Sequence, residues 1–436
     1  MPESPASLKI TIVGAGLGGL ITATCLAQSG HQVQVLEASQ ELSEVGAGIQ
    51  ISPNALRILD SLGLKDIFYT EGTKTEGLVI RRYKDGRMLG KHSSTPPGLY
   101  GYYNLTIHRA DYQRILYHAA LDAGAVVRFG KKVVSVDTSM PSLILQDGTM
   151  TVTDLIVGAD GIGSRIRSAM FPDIHPHPTP DCAFRIILTR QQMLSNPAIS
   201  HLVLQPSATV WLGPSQHIVA YTIRGTELFN VVCCGPGTAD TGVWSEIADL
   251  DELKKDYADY EDTVQAILGA TTECHKWRIS EVPDLPSWRT GNGRMVLLGD
   301  AAHAMVPYMA QGATQAVEDA AILAGCLARA QSSEDIPRLT QAYEDIRKPR
   351  AEKIKATSLG NIKQYGLPDG PEQVVRDEMY SKSLLEVTQA TKDVITPKPD
   401  MNAVFGSPGF TSWVFTYDTE QTLREYFDDT TGRSRI

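Results

Sequence analysis

The sequence lacks the features that mark several specialised classes of protein. Basic residues are outnumbered by acidic ones, 40 to 50, and the formal net charge is −10 at pH 7. Because a negatively charged surface repels phosphate backbones, we expect no nucleic acid partner. No apolar run reaches the roughly 18 residues that a transmembrane helix needs, so we expect no membrane span. Residues 1–9 contain no apolar core, which predicts that there is no secretory signal peptide.

Cysteine is also scarce. The six cysteines show no Cys-x-x-Cys spacing and no dense framework. This pattern favours buried thiols over disulfides and predicts a reducing, cytoplasmic environment. We assign no metal ligand. A length of 436 residues exceeds one ordinary domain and predicts two or three.

What the sequence does contain is a glycine-rich motif close to its N-terminus. An apolar, β-branched run predicts a buried strand at residues 8–13, a helical pattern follows over 18–29, and a second strand is predicted at 32–36. Gly14-Ala15-Gly16-Leu17-Gly18-Gly19 lies between the first strand and the helix. A strand, Gly-x-Gly-x-x-Gly and a helix in this order are typical of dinucleotide binding.

Each residue of this unit has a physical role. Gly14 permits the tight turn, Gly16 lets the backbone approach a pyrophosphate, and Gly19 allows close packing of the helix on the strand. The N-terminus of the helix presents free N–H groups and a positive dipole to the phosphates. Glu37, at the end of the second strand, is placed to accept hydrogen bonds from an adenosine ribose. The unit alone does not distinguish NAD from FAD.

A second motif makes that distinction. Gly299-Asp300 follows a predicted strand at 295–298 and precedes Pro307, Gln311-Gly312 and a predicted helix at 313–328. An aspartate at the carboxyl end of such a strand lies where ligands bind, and here it would accept hydrogen bonds from ribityl hydroxyls. Proline stiffens the loop, and the helix N-terminus would direct its positive end at the N1–C2=O edge of an isoalloxazine. Two motifs that hold opposite ends of one cofactor indicate a flavin.

Several other residues are candidate contacts, each with a structural alternative. The Gly46/Gly48 pair either allows a close backbone approach to a ligand or belongs to an ordinary loop. Arg109, at the start of a predicted helix, is either a bidentate donor to phosphate or ribityl oxygens or a solvated arginine. Asp160 either contacts the cofactor region or closes a structural turn. For His303, packing is favoured over catalysis.

Between these motifs the pattern changes. Over residues 181–235, short stretches rich in β-branched and aromatic residues alternate with turn residues such as Gly213-Pro214 and Arg224-Gly225. This pattern predicts an inserted antiparallel sheet.

The motif trio resembles that of the single-component FAD-dependent aromatic hydroxylases, whose archetypes are para-hydroxybenzoate hydroxylase and salicylate hydroxylase. The trio consists of Gly-x-Gly-x-x-Gly with Glu37, Asp160-Gly161, and Gly299-Asp300 with Pro307. The resemblance covers residues 9–367 and is closest to fungal salicylate-hydroxylase-like monooxygenases. Supporting stretches are residues 181–185, 211–214, 343–350 and 367–371.

Two further patterns bear on the resemblance. Where the family often has Gly-Gln-Gly, this chain has Ala310-Gln311-Gly312, which adds a Cβ where the loop passes the flavin. The Trp-x-Trp-x-Ile-Pro pattern of flavin halogenases is absent from the sequence, which argues against that relative.

The resemblance implies a role for each motif residue. Glu37 would bind the adenosine ribose, Arg109 the diphosphate–ribityl region, and Asp160 would support both FAD and NAD(P)H handling. Arg185 and Tyr221 resemble an arginine and a tyrosine that act on the phenol in related fungal enzymes. Their structural alternatives are a sheet-face arginine paired with an acid and a half-buried strand aromatic. The full set of expected FAD contacts is Gly14, Gly16, Gly19, Glu37, Gly48, Arg109, Asp160, Asp300, Pro307, Gly312 and Ala313.

The function that the resemblance implies is an FAD-dependent, NAD(P)H-consuming monooxygenase. It would hydroxylate a phenolic or salicylate-like substrate with O2 through a flavin C4a-hydroperoxide. Alternatives are epoxidation or dearomatisation of a fungal secondary metabolite on the same scaffold, a flavoprotein oxidase or dehydrogenase, and a non-enzymatic FAD-binding or NAD(P)H-oxidising protein. The expected partners are a small aromatic substrate, O2 and NADH or NADPH, and the expected state is a monomer or homodimer.

The expected fold class is α/β. It comprises a Rossmann-type FAD-binding domain, an inserted antiparallel-sheet substrate domain and a helical C-terminal region, in which 410–417 is a candidate cover for the pocket. The expected boundaries are 1–180 for the first part of the FAD-binding domain with a substrate-side insertion near 75–105, 181–285 for the substrate domain, 286–360 for the second part of the FAD-binding domain, and 361–436 for the C-terminal region.

Overall fold

The computed structural model describes residues 6–42, 47–93, 100–237, 245–390, 396–403 and 405–433. Gly46, grouped with Gly48 above, lies outside them. We number the strands in chain order. They are β1 (Lys9–Val13), β2 (Gln32–Leu36), β3 (Gly48–Ile51), β4 (Thr73–Lys74), β5 (Gly77–Arg82), β6 (Met88–Ser93), β7 (Leu105–His108), β8 (Val126–Arg128), β9 (Val133–Asp137), β10 (Ser142–Leu145), β11 (Met150–Val152), β12 (Leu155–Gly158), β13 (His177–Thr189), β14 (Ala208–Gly213), β15 (Gln216–Ile223), β16 (Leu228–Pro236), β17 (Ser245–Ile247), β18 (His275–Glu281) and β19 (Met295–Leu297).

The helices are numbered in the same way. They are α1 (Leu17–Gln28), α2 (Pro53–Ser61), α3 (Lys65–Glu71), α4 (Arg109–Asp122), α5 (Arg165–Met170), α6 (Arg190–Leu194), α7 (His201–Leu204), α8 (Leu250–Asp256), α9 (Asp262–Ala270), α10 (Asp300–His303), α11 (Gly312–Leu327), α12 (Ile336–Tyr365), α13 (Pro371–Ala390), α14 (Pro408–Phe415) and α15 (Thr419–Arg433). A 3₁₀ turn, Ser333–Asp335, precedes α12.

A five-stranded parallel sheet carries the first glycine motif. Its strand order is β19-β12-β1-β2-β8. The central strands β1 and β12 are almost entirely buried, which their apolar, β-branched sequences favour in a sheet covered on both faces. The strand predicted at 32–36 is β2, with the same bounds. The sheet confirms the Rossmann-type domain, and its edge strand β19 comes from far downstream, so this domain is discontinuous in sequence.

An eight-stranded sheet forms the other half of the molecule. Its order is β17-β18-β13-β16-β15-β14-β5-β6, and every pair is antiparallel except β14 with β5. On one face, residues such as Ile186, Ile218 and Phe229 are fully buried in a core shared with α6 to α9. Because side chains alternate along a strand, the intervening residues point to the other face. The predicted antiparallel sheet is confirmed, and β5 and β6 join it from an earlier part of the chain.

Helices complete the fold around these two sheets. The central helix α11 contacts α1, α2, α12 and α15, and α13 packs along β6. The helical C-terminal region predicted from the sequence is confirmed. Two small antiparallel sheets, β11-β10-β9 and β3-β7-β4, lie beside the main ones. Within the described ranges, no helix is both long enough and apolar enough to cross a bilayer. All six cysteines are buried free thiols.

Candidate active site

A cavity of about 640 Å³ lies between the two sheets. Its size is in the range of small-molecule and cofactor sites. Both glycine motifs open into it, together with one face of the eight-stranded sheet and part of the C-terminal region. Of the predicted cofactor residues, those lining the cavity are Gly16, Gly48, Arg109, Asp300, Pro307, Gly312 and Ala313. The others lie in or beside the surrounding loops: Gly14, Gly19, Glu37 and Asp160.

The glycines of the first motif have different surroundings. Gly14 has φ +103°, and a Cβ there would lie 2.5 Å from the Ala159 carbonyl oxygen. A Cβ at Gly19 would lie 1.9 Å from the Gly14 carbonyl oxygen. By contrast, a Cβ at Gly16 would have nothing within 4 Å. Gly14 and Gly19 therefore serve the turn and the helix packing, whereas Gly16 leaves room on the cavity side.

This room lies at the N-terminus of α1. Gly16 is the N-cap residue, and no side chain caps the helix. The free N–H groups of its first turn and the helix dipole favour an anionic group at this position. The residues present therefore fit the pyrophosphate of a dinucleotide.

The carboxylate of Glu37 is held beside this motif. Its Oε2 accepts a hydrogen bond from the Ala15 N–H at 2.7 Å, and its Oε1 accepts one from the Ser39 N–H at 2.8 Å. Each carboxylate oxygen has a second lone pair, so Glu37 can still accept from a ribose hydroxyl. That contact stays a prediction.

Gly299-Asp300 follows β19, which lies two strands from β1 and the first motif in the parallel sheet. Gly299 has φ +57°, a left-handed conformation that glycine adopts without strain. This turn exposes the Asp300 carboxylate at the cavity wall. Arg109 interacts electrostatically with the Asp300 carboxylate. Burial lowers the pKa of Arg109, and the negative charge of Asp300 opposes that shift. The arrangement places an acceptor and a cationic donor at the same end of the cavity, as ribityl and phosphate contacts require.

In the loop before α11, one alanine adopts a backbone conformation that is typical of glycine. Ala310 has φ +51°, in the left-handed region. The departure from Gly-Gln-Gly therefore leaves a glycine-like loop with a strained alanine in it. Next to it, the buried Gln311 side chain donates to Ser52 Oγ at 3.0 Å and accepts from Asn54 Nδ2 at 3.2 Å. These bonds fix the start of α11, whose first residues Gly312 and Ala313 line the cavity.

Asp160 lies between two cavity-lining residues but does not line the cavity itself. Its Oδ1 accepts from Ser164 Oγ at 2.5 Å, and its Oδ2 accepts from the Arg165 N–H at 2.7 Å. Burial raises the pKa of Asp160, and these hydrogen bonds oppose the shift. The carboxylate thus holds the loop against the N-terminus of α5, which is the arrangement of the structural-turn alternative. A further role in FAD or NAD(P)H handling stays a prediction.

Arg185 and Tyr221 project from the cavity face of the eight-stranded sheet. The Arg185 guanidinium lies over the Trp277 ring at 5.2 Å, and its Nε has no hydrogen-bond partner among the described residues. Burial raises the pKa of Tyr221, and the charge of Arg185 opposes that shift, so the two side chains are electrostatically coupled. The structure thus brings both predicted catalytic residues to one wall of the cofactor cavity.

Gly48 connects this wall to the cofactor side. Its N–H donates to Asn230 Oδ1 at 2.9 Å. A Cβ at this position would lie 2.5 Å from Cε2 of the Tyr221 ring. Only glycine therefore allows this close contact between β3 and β15.

With this geometry in place, comparison with known proteins identifies the family. Residues 7–358 match the family model described as FAD binding domain. The chain belongs to this family. FAD-dependent monooxygenase OpS4 of Beauveria bassiana (strain ARSEF 2860) is 34% identical over 377 residues, covering 85% of this chain and 88% of the relative. The 3-amino-4-hydroxybenzoate 2-monooxygenase PtmB3 of Streptomyces platensis is 34% identical over 375 residues, covering 85% of this chain and 91% of the relative.

A solved structure supports the fold over nearly the whole chain. The salicylate hydroxylase substrate complex superposes with a TM-score of 0.77 at 23% identity, covering 96% of this chain and 98% of that one. The protein is an FAD-dependent monooxygenase, as the sequence predicts.

The monooxygenase also contains a buried ion network that the sequence motifs do not indicate. Glu318 and Asp319 on α11 face Arg347 and Arg350 on α12. Arg347 lies 2.6 Å from Glu318 Oε2 and 2.8 Å from Asp319 Oδ1, and Arg350 lies 2.8 Å from Glu318 Oε2. Burial alone would raise the pKa of Glu318, but the charges of Arg350 and Arg347 outweigh it and hold that pKa below its ordinary value.

This network also holds the second glycine motif in place, through contacts of Asp319 with Gly299 and His303. Asp319 Oδ2 accepts the Gly299 N–H at 3.0 Å and lies 2.7 Å from His303 Nε2. His303 is 1% exposed and does not line the cavity, in agreement with a packing role. The signal in the sequence was the pair Glu318-Asp319 within an otherwise apolar helix pattern, because buried carboxylates need cationic partners.

The C-terminal region of the monooxygenase closes part of the cavity. Phe410, Val414 and Phe415 on α14 line it, within the segment 410–417 that was a candidate cover. Arg350 donates to the Val414 carbonyl at 3.0 Å, and Arg57 donates to the Phe415 carbonyl at 3.1 Å. The buried network therefore also fixes the position of the cover.

Proposed function

We propose that the protein hydroxylates a phenolic or salicylate-like aromatic compound, with NADH or NADPH as reductant and O2 as the oxygen source. The observation that carries this proposal is the shared cavity: both cofactor motifs open into the space that Arg185 and Tyr221 line. A relative named for 3-amino-4-hydroxybenzoate and a neighbour named salicylate hydroxylase support a hydroxylated aromatic acid or phenol as the substrate class.

The cofactor would be held at three places. The N-terminus of α1 at Gly16 would take the pyrophosphate, and Asp300 and Arg109 would take the ribityl–phosphate region. The N-terminus of α11, at Gly312 and Ala313, would face the pyrimidine edge, where its dipole stabilises negative charge. Bound FAD supplies the electron- and oxygen-transfer chemistry. Oxygen transfer through C4a, the use of NAD(P)H and the contact of Glu37 with the ribose stay predictions.

Arg185 and Tyr221 would prepare the substrate ring. The Arg185 guanidinium stabilises a phenolate oxygen, which makes the ring carbons more nucleophilic. A tyrosine hydroxyl is protonated at neutral pH, and burial raises the pKa of Tyr221 further. This hydroxyl therefore acts as a hydrogen-bond donor that orients the phenolic oxygen.

A labelled-oxygen experiment tests the proposal. Protein loaded with FAD is mixed with NADH or NADPH and a panel of phenols and salicylates under ¹⁸O2, and the products are analysed by mass spectrometry. We expect NAD(P)H oxidation that an aromatic compound stimulates and a product that carries one labelled oxygen atom. Substrate oxidation without label would instead identify an oxidase or dehydrogenase. NAD(P)H consumption that no aromatic compound changes would contradict the proposed function.

A further inference from the structure

The sheet wall of the cavity contains a straight row of cross-strand partners. Arg185 pairs with Val232, Val232 with Val219, Val219 with Val210, and Val210 with Ile80. All five side chains line the cavity, and we call these five residues the track. Neighbouring strands are roughly 4.8 Å apart, so the four strand steps place Ile80 about 19 Å from Arg185.

Charge is confined to one end of the track. Among the described residues, the charged side chains that line the cavity are Arg109, Asp300 and Arg185. Arg109 and Asp300 interact at the second glycine motif, which leaves Arg185 as the charge on the sheet wall. Val219 and Val232 are only half-buried although β15 and β16 are inner strands. They therefore present apolar surface to the cavity.

One residue of the C-terminal region covers the far end of the track, and two others line the same cavity. Tyr380 is 2% exposed and packs in one cluster with Ile80 and Val210. Phe405 and Phe410 line the same cavity. A single hydroxybenzoate ring is much shorter than this wall. Val210 and Ile80 are each 5% exposed and pack against Tyr380, whereas Val219 and Val232 are half-buried. Bound at Arg185, such a ring would leave the apolar surface of these two valines without a partner, and that surface is a source of binding free energy.

We infer that the preferred substrate is an amphiphilic hydroxyaromatic compound. Its anionic oxygen, phenolate or carboxylate, would lie at Arg185. Its apolar substituent, an alkyl chain or a second ring, would extend along Val232 and Val219 towards Val210 and Ile80. The inference rests on the proposed function for the nature of the polar head, and on the track for the apolar extension.

A homologous ligand series tests the track. Salicylates that carry hydrogen, methyl, propyl or pentyl at ring carbon 4 are titrated into the FAD-loaded protein by calorimetry. Burial of each added methylene should tighten binding roughly fourfold. Equal affinity along the series would overturn the inference, even for a protein that hydroxylates salicylate. Steep dependence on chain length without hydroxylation of any member would support the track and contradict the proposed function instead.

A matched pair of variants locates the effect. Val219→Phe fills the middle of the track and should remove the dependence of affinity on substituent length. Ile187→Phe makes a similar change on β13, where the side chain is 38% exposed and does not line the cavity, and should keep that dependence. If Val219→Phe keeps the full dependence, the apolar extension does not lie along the track. If that variant does not fold, the ligand series on the unaltered protein still decides.

Discussion

Arg347 and Asp319 form an ion pair that is closed to solvent: Nε lies 2.8 Å from Oδ1, and neither side chain is exposed. Asp319 also accepts the Gly299 N–H, so the pair holds the turn that presents Asp300 to the cavity. Neither residue of the pair lines that cavity. The geometry of the cofactor site therefore depends on buried charges that do not line the cavity and act on it through the Gly299 backbone.

Removal of one member of this pair should destabilise the protein strongly. Arg347→Leu leaves Glu318 and Asp319 with a buried charge uncompensated, which costs about 3–5 kcal/mol. We expect a large loss of unfolding free energy in urea and weaker FAD retention. Arg338→Leu is the control, because Arg338 is 61% exposed and pairs with Asp335 at the surface. That change should cost less than about 1 kcal/mol, and similar losses in both variants would contradict the assignment.

Two alanine substitutions separate cofactor binding from folding. In Gly16→Ala the new methyl group meets no protein atom, so the apoprotein should melt as the unaltered protein does. FAD should bind roughly tenfold more weakly or worse, a loss of about 1.4 kcal/mol or more, because the methyl group occupies the pyrophosphate position. Fluorescence titration with FAD measures this change. Gly19→Ala should unfold more readily even without FAD, since its Cβ would collide with the Gly14 carbonyl. Unchanged FAD affinity in Gly16→Ala would exclude that position as the phosphate contact.

The strained alanine before α11 predicts a stabilising substitution. Ala310→Gly relieves a left-handed conformation that costs an L-residue roughly 1–2 kcal/mol, less the entropy that glycine adds to the unfolded chain. We expect a net gain of about 0.5–1 kcal/mol in unfolding free energy. Ala324→Gly, in the interior of α11, should lose about 1 kcal/mol by contrast. A melting temperature that falls in both variants would show that Ala310 is not strained.

His217 predicts a specific pH dependence of stability. Burial lowers the pKa of this histidine from 6.5 to about 3, and the rings of Tyr308 and Tyr365 contact it at 5.0 and 5.1 Å. Between these values the unfolded chain binds a proton that the folded protein does not. The contribution of His217 to the free energy of unfolding is therefore fully present above pH 6.5. It falls by about 1.4 kcal/mol per pH unit as the pH drops towards 3. Urea unfolding at several pH values should show a shallower acid loss in His217→Phe, and parallel curves would refute the assignment.

Arg185 predicts a loss of chemistry without a loss of cofactor. Arg185→Ala should retain FAD but lower kcat/KM for hydroxylation by roughly a hundredfold to a thousandfold, as removal of an oxyanion donor does. Arg185→Lys keeps the charge and should recover part of the activity. Steady-state kinetics with product analysis measure both variants. Full turnover in Arg185→Ala would show that another group stabilises the phenolate.

The sequence predicts the role of a residue correctly where that role depends only on its near neighbours in the chain. The turn at Gly14 and the packing of Gly19 follow from backbone sterics between a strand and the next helix, and both are observed. Asp160 was correctly placed after a strand, but its hydrogen bonds depend on how α5 begins. Local patterns do not determine which donors such a carboxylate meets.

The ion network could not be predicted because it is set by helix packing. Arg347 reaches Asp319 across a separation of 28 residues, and the contact exists only because α12 lies against α11. The same holds for the cover: Arg350 binds the Val414 carbonyl 64 residues away. Composition indicates that buried acids need cations, but it does not identify which arginines supply them.

The late position of β19 in the chain has a consequence for biosynthesis. Strand β12 lacks its outer neighbour until Met295–Leu297 has left the ribosome, after all strands of the eight-stranded sheet. An unpaired strand edge is prone to associate with other chains. Long-range pairing of this kind also slows folding. The nascent polypeptide should therefore be most vulnerable to aggregation just before this strand emerges. Neither the parallel sheet nor the eight-stranded sheet is formed by one uninterrupted segment of the chain.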